Sequence, residues 1–157
     1  MKIISCVDDD YGMMFNNRRQ SRDSKVIEHV LKTVNDKKIW MNNYSKQLFE
    51  GQNNIVIDEE FLEKAEENDY CFVENVEISN EKYKIDEIIL YFWNRKYPAD
   101  KKFNISLEEY VLENEEDFEG SSHEKITQRI YFRRNKGWEQ IIKQRRKLRN
   151  KVFPYCR

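Results

Sequence analysis

The chain has 157 residues and a mass of 19.3 kDa, the size of one ordinary domain. An aromatic content of 13% argues against a disordered chain, and four Gly with two Pro argue against a collagen-like or linker-dominated one. The net charge of −1 hides an asymmetry: residues 126–157 carry eleven Lys/Arg against Glu139, a net +10, which leaves 17 basic and 28 acidic residues, −11, in 1–125.

Taken in chain order, short apolar runs alternate with helical patterns. Residues 2–7 read as a strand, followed by a polar loop over 8–21 that contains Gly12. A helix is predicted over 22–35, where Val26, Ile27, Val30, Leu31 and Val34 form one stripe and Ser21 or Asp23 is the N-cap. Strands at 38–41 and 54–57 flank a short helix over 44–50 closed by Gly51. A helix over 59–67 is acidic at its start, as the helix dipole favours. A buried strand follows at 70–73, then a helical or irregular crossover over 76–84 and a strongly apolar strand over 87–93. The acidic stretch 106–119 is predicted to hold a short helix at 107–112, and 125–133 alternates as an outer strand.

This order implies βαβ crossovers and an α/β fold, its mainly parallel sheet covered by helices on both faces with an antiparallel pair at one edge. The composition changes at 134–157, where Trp138, Ile141, Ile142, Leu148 and Val152 lie in a sparse helical stripe among basic residues. The predicted organisation is an α/β domain over 1–133 and a basic amphipathic helical tail over 134–157. No apolar run approaches the roughly 18–20 residues of a membrane span, and the N-terminus has no apolar stretch suited to export. Cys6, Cys71 and Cys156 lack CxxC spacing, so reduced thiols in a cytoplasm are expected, with Cys6 and Cys71 as small buried hydrophobes.

Three constellations bear on function. The segment FNNRRQSRD places Arg18, Arg19 and Arg22 directly after the first strand, where open α/β sheets line their ligand crevice and Arg forks suit phosphate or carboxylate. The adjacent Asp8, Asp9 and Asp10 are read as offsetting those arginines. In GSSHEKIT, His123 stands beside Ser121, Ser122 and Glu124, a set suited to nucleophile activation or general acid–base work. Neighbours on a strand point to opposite faces, however, so Ser122 and His123 would not simply pair there. In the tail, Lys143, Arg145, Arg146, Lys147 and Arg149 supply the charge for RNA binding by counterion release. The tail equally suits contact with the acidic body, whose residues 108–119 hold seven acids, within one chain or between two copies.

The order of elements over about 1–133 resembles dihydrofolate reductase. MKIISCVDDDYGMMFNNRR is similar to the family's first strand and loop, KKIWMNNYSKQLF to its second strand and helix, and NNIVID to its third strand. DYCFVENVEI resembles the segment around the family's Gly-Gly, YPAD the segment after the long sixth strand, and SSHEKITQRIYFRR the closing strand. The resemblance implies a reductase-type fold, with Asp23 as the carboxylate that anchors a pterin, its pKa raised by an apolar pocket. It also implies NADPH, yet Glu74-Asn75 stands where the family has Gly-Gly, and Asn42-Asn43-Tyr44 where it has Arg-x-Thr. The opening is also similar to small bacterial proteins labelled ribonuclease Z, although the HxHxDH motif of the zinc enzyme is absent.

The expected function is therefore a reductase-fold protein with a degenerate NADPH site. Its small anionic or nucleotide-like ligand would bind in a crevice lined by Asp23, Arg18, Arg19, Asn42, Tyr44 and Glu74. The alternatives are an RNA-binding protein or ribonuclease that uses the tail and His123, and a pterin or flavin-type reductase with atypical cofactor recognition. The cofactor stays open.

Overall fold

The computed structural model describes residues 1–134. The predicted tail, with Lys143, Arg145, Arg146, Lys147 and Arg149, lies outside the described residues. Within them, β1 (Lys2–Val7), β4 (Ile39–Met41), β5 (Ile55–Ile57), β6 (Tyr70–Phe72) and β7 (Glu87–Phe92) are parallel. They join β9 (Tyr110–Phe118) and β10 (Ile126–Arg133) in a seven-stranded sheet of order β5-β4-β6-β1-β7-β10-β9. The last two strands run antiparallel and form one edge, as the sequence suggested.

Alternation along β1 and β7 sends side chains to two apolar layers. Ile3, Val7, Ile88 and Leu90 enter one, with Phe61 and Ile78, while Ile4, Ile89 and Tyr91 enter the other. Helix α1 (Ser24–Val34) covers the second layer because Val26, Val30 and Val34 recur every four residues and are all buried. The first layer is covered by α3 (Phe61–Lys64) and the chain between β6 and β7. Among the described residues, no helix is long and apolar enough to cross a membrane.

Several predicted elements differ. The polar loop over 8–21 contains β2 (Gly12–Phe15) and β3 (Arg18–Arg19), which pair with each other, and β2 also pairs with β8 (Lys101–Lys102) in a small second sheet. The helix expected at 107–112 is a single 3₁₀ turn, Leu107–Glu109, leading into the nine-residue β9. Its Glu-rich sequence favours helix, but pairing with β10 overrides that preference, with Glu115 opposite Arg129 and Asp117 opposite Thr127. The helix over 59–67 shrinks to Phe61–Lys64. That over 44–50 becomes α2 (Asn43–Lys46) followed by the 3₁₀ turn Gln47–Phe49. The 76–84 crossover is irregular apart from Lys82–Lys84.

Candidate ligand crevice

Loops at the carboxyl ends of β1, β4, β6 and β7 carry Asp8, Asn42, Glu74 and Trp93 to one end of the sheet, where open α/β sheets bind ligands. A narrow crevice, open to solvent on one side and with about 20 Å³ of free space at its bottom, lies there. Its apolar wall is Cys6, Met13, Val26, Phe72 and Trp93, and its polar rim is Arg19, Gln20, Ser21, Arg22, Asp23 and Glu74. A more open groove lined by Arg18, Tyr97 and Pro98 shares Arg19 and Gln20 with it.

Asp23 is the hub of one wall. As N-cap of α1 it accepts from the Lys25 amide at 2.9 Å. It also draws in the turn before β10: the amides of Ser121 and Ser122 and His123 Nδ1 all lie 2.9 Å from its oxygens. The Ser121 and Ser122 hydroxyls donate to it as well. Burial alone would raise its pKa. The Ser121 amide, the His123 ring, the Ser122 amide and the Ser121 hydroxyl outweigh that and hold the carboxyl well below the usual range. The raised pKa expected from the resemblance is thus overturned, because the pocket around the carboxylate is made of donors.

His123 is buried in that turn and not on a strand, which is why it and Ser122 both reach Asp23 despite being neighbours. Asp23 accepts only, so Nδ1 carries a proton toward it. Nε2 faces Ser21 Oγ at 3.0 Å and Tyr97 Oη at 3.2 Å, and the ring stacks on Trp93 at 4.7 Å. Gly120 permits the approach: a Cβ there would fall 2.5 Å from Asp23 Oδ2 and 2.9 Å from the His123 carbonyl. Gly120→Ala is therefore expected to cost about 1–3 kcal/mol through overpacking, read as a lower urea midpoint at unchanged m-value.

The opposite wall is built on Glu74. Arg19 grips its carboxylate with two hydrogen bonds, Nε at 2.8 Å and Nη2 at 3.0 Å, and Ser45 Oγ donates at 2.7 Å. Tyr44 supports Arg19: its ring lies 4.5 Å from the guanidinium, its carbonyl accepts from Nη2, and its hydroxyl accepts from the Arg19 amide. Asn42 caps α2 through the Ser45 amide and donates to Asn75 Oδ1 at 2.8 Å. Neither Asn42 nor Tyr44 lines the crevice; both act through residues that do. Arg18 is exposed and belongs to the outer groove.

The acids beside the arginines do not offset them. Burial would raise the pKa of Asp8, but the amides of Gly12, Asp10 and Tyr97 and the Gln20 side chain hold it below its ordinary value. Asp10 pairs with Lys96 at 3.2 Å. Among the described residues, no group of three or more His, Cys, Asp or Glu is placed to hold a metal ion. Burial pushes the Cys6 thiol far up and that of Cys71 to about 12, which makes both poor nucleophiles. His29 contacts the Tyr91 hydroxyl and Glu116 and stacks on Phe118, tying α1 to the sheet edge.

Ser21, Tyr97 and Trp93 are site residues that the sequence did not single out. Their places lie 102, 26 and 30 positions from His123, and only the fold brings them to its ring.

No family model matches the sequence, and no curated protein matches it. Among solved structures, the chain is similar to a dihydrofolate reductase from Enterococcus faecalis complexed with NADP(H) and RAB-propyl. The TM-score is 0.62 at 7% identity, covering 85% of this chain and 96% of that one. Nothing in these comparisons supports the ribonuclease Z likeness. With its strand order, its α1 over one face and its antiparallel edge, the chain has a dihydrofolate reductase-like α/β fold.

Proposed function

We propose that this protein binds a small anionic or nucleotide-like molecule in the crevice after β1 and does not take NADPH in the manner of the reductases it resembles in fold. The observation that carries this reading is the crevice itself: one apolar wall that includes Phe72 and Trp93, facing a rim that bears the exposed Arg22. An apolar slot with a few convergent polar groups suits a planar ligand with one charged end.

NADPH fits poorly. A diphosphate laid along the backbone where the resemblance sets Gly-Gly would meet the Glu74 carboxylate and the Asn75 side chain, each already held by its own partners. Asn42 and Tyr44 supply no cation where the family has Arg-x-Thr, and the nearest guanidinium, Arg19, is neutralised by Glu74.

Thermal shift with 5′-AMP, folate and NADPH tests this. A ligand present at 100 times its Kd stabilises the folded state by about 2.7 kcal/mol, which is readily seen as a raised Tm. Millimolar AMP or folate should raise Tm, Arg22→Ala should reduce the rise, and NADPH should add nothing beyond AMP. A flat response to both AMP and folate, or one indifferent to Arg22→Ala, would sink the reading. A large shift specific to NADPH would restore an atypical reductase.

A further inference from the structure

We infer that Ser21, His123 and Asp23 form a nucleophilic triad that hydrolyses a small anionic ester whose acyl end enters the apolar crevice. The inference rests on the ligand-binding reading, since the ester must enter the same crevice.

The geometry is that of an activated serine. Asp23 Oδ2 lies 2.9 Å from His123 Nδ1, and His123 Nε2 lies 3.0 Å from Ser21 Oγ. The carboxylate and imidazole side chains are 0% and 2% exposed, whereas Ser21 is half-buried and lines the crevice. The orienting acid and the base are thus shielded from water, and the hydroxyl they serve faces the ligand. Six hydrogen bonds fix Asp23 as an anion, and Trp93 holds the ring by stacking. The arrangement is therefore built before any substrate arrives. Cys6, the other nucleophile type on the crevice wall, is half-buried, and its apolar surroundings with Glu74 and Asp23 push its thiol pKa up.

In the first step Ser21 Oγ attacks the ester carbonyl carbon and its proton passes to His123 Nε2. The alcohol then leaves with that proton, and an acyl-Ser21 ester remains. Water attacks this ester, giving a proton to Nε2, and the acid departs as Ser21 regains the proton. Tyr97 Oη lies 3.2 Å from the same nitrogen and helps to hold the ring in place. Two further features bear on the substrate. Arg22 is exposed at the rim, which suits a negatively charged group. Gln20 Oε1, on the same wall, is buried without a hydrogen-bond partner among the described residues and can accept from a donor on the ligand.

The test uses the full chain. Wild type is treated with a fluorophosphonate, in which Ser21 Oγ would displace fluoride from phosphorus, and the adduct is located by peptide mass spectrometry. Turnover is followed with mono(4-nitrophenyl) succinate, an anionic ester, and with neutral 4-nitrophenyl acetate. A stoichiometric adduct on Ser21 is expected, absent in Ser21→Ala, whose folding is confirmed by circular dichroism. Hydrolysis in that variant should fall by about a millionfold, the scale of losing a triad nucleophile, or to the spontaneous rate of the ester where that is faster. The anionic ester should be preferred by about tenfold, the factor one charge-assisted hydrogen bond supplies, and Arg22→Ala should remove that preference.

An unlabelled Ser21 in folded wild type, or equal hydrolysis by Ser21→Ala, overturns the triad. The AMP thermal shift on wild type is read in parallel. If it persists while labelling fails, the hydrolase inference alone is wrong; if both fail, the ligand-binding reading falls too.

Discussion

Asp23→Asn is expected to destabilise the fold by about 3–4 kcal/mol, a large share of the 5–15 kcal/mol typical of a domain. Every group around this carboxylate is a donor. One oxygen accepts from the Lys25 and Ser121 amides, the other from the Ser122 amide and His123 Nδ1. An asparagine NH₂ must take one of those two places, and whichever way the amide turns it faces at least one backbone N–H. The imidazole can move its proton to the other nitrogen, but a backbone amide cannot, so a buried donor is left against a donor. Urea denaturation of the two proteins measures the loss.

The same network sets an acid limb. A carboxyl whose folded pKa lies below its unfolded value, near 3.8, takes up a proton more readily when unfolded. Its contribution is complete above about pH 5 and is lost as the pH falls below 4 toward the folded value. Asp8 has the same sign. Stability of the wild type should therefore drop steeply below pH 4. In Asp23→Asn that limb should be shallower, with the Asp8 share remaining. Equal slopes in the two proteins would show that Asp23 is not held as an anion.

Why Asp23 could be named from sequence while its neighbours could not is a matter of range. The N-cap reading needs only the stripe Val26, Val30 and Val34 and a short polar residue before it, all local; of the two caps it offers, Ser21 and Asp23, the structure uses Asp23, and α1 begins at Ser24, two residues inside the predicted 22–35. β1, β7 and β10 were legible for the same reason, since their periodicity is carried by the strand itself. β3 and β8 have two residues each and exist only through pairing, so neither carries a pattern of its own. β9 was misread because its carboxylates argue for helix until Arg129 and Thr127 are set opposite them. In the site, Arg19 and Glu74 were both singled out, but as separate ligand contacts. That they neutralise each other across 55 residues follows from the meeting of β3 with the end of β6. Ser121, Ser122 and His123 were recognised as reactive types, and the partner they find, Asp23, lies about 100 residues away.

The Arg19–Glu74 pair yields the second large effect, with opposite signs in stability and binding. Arg19→Met leaves the Glu74 carboxylate, 10% exposed, with Ser45 Oγ as its remaining side-chain donor. Stranding a buried charge costs about 3–5 kcal/mol. Glu74→Gln should cost less, about 1–2 kcal/mol, because the guanidinium keeps the Tyr44 carbonyl and ring. The double replacement Arg19→Met/Glu74→Gln removes both charges and should be more stable than Arg19→Met alone. A double-mutant cycle in urea would then show coupling of about 1–3 kcal/mol. Additive costs would mean the pair is merely adjacent.

For ligands the order reverses. In the wild type the Arg19 charge is spent on Glu74, so an anion in the crevice competes with an internal carboxylate. Glu74→Gln releases that charge while keeping the side-chain volume, and should tighten AMP by about tenfold, the factor of one charge-assisted hydrogen bond. Arg19→Met should weaken AMP despite leaving the crevice open. A variant that loses stability while gaining affinity cannot be explained by general loosening of the fold. If Glu74→Gln weakened AMP instead, Glu74 would be a ligand contact in its own right, and the crevice would select a donor-bearing molecule over an anion.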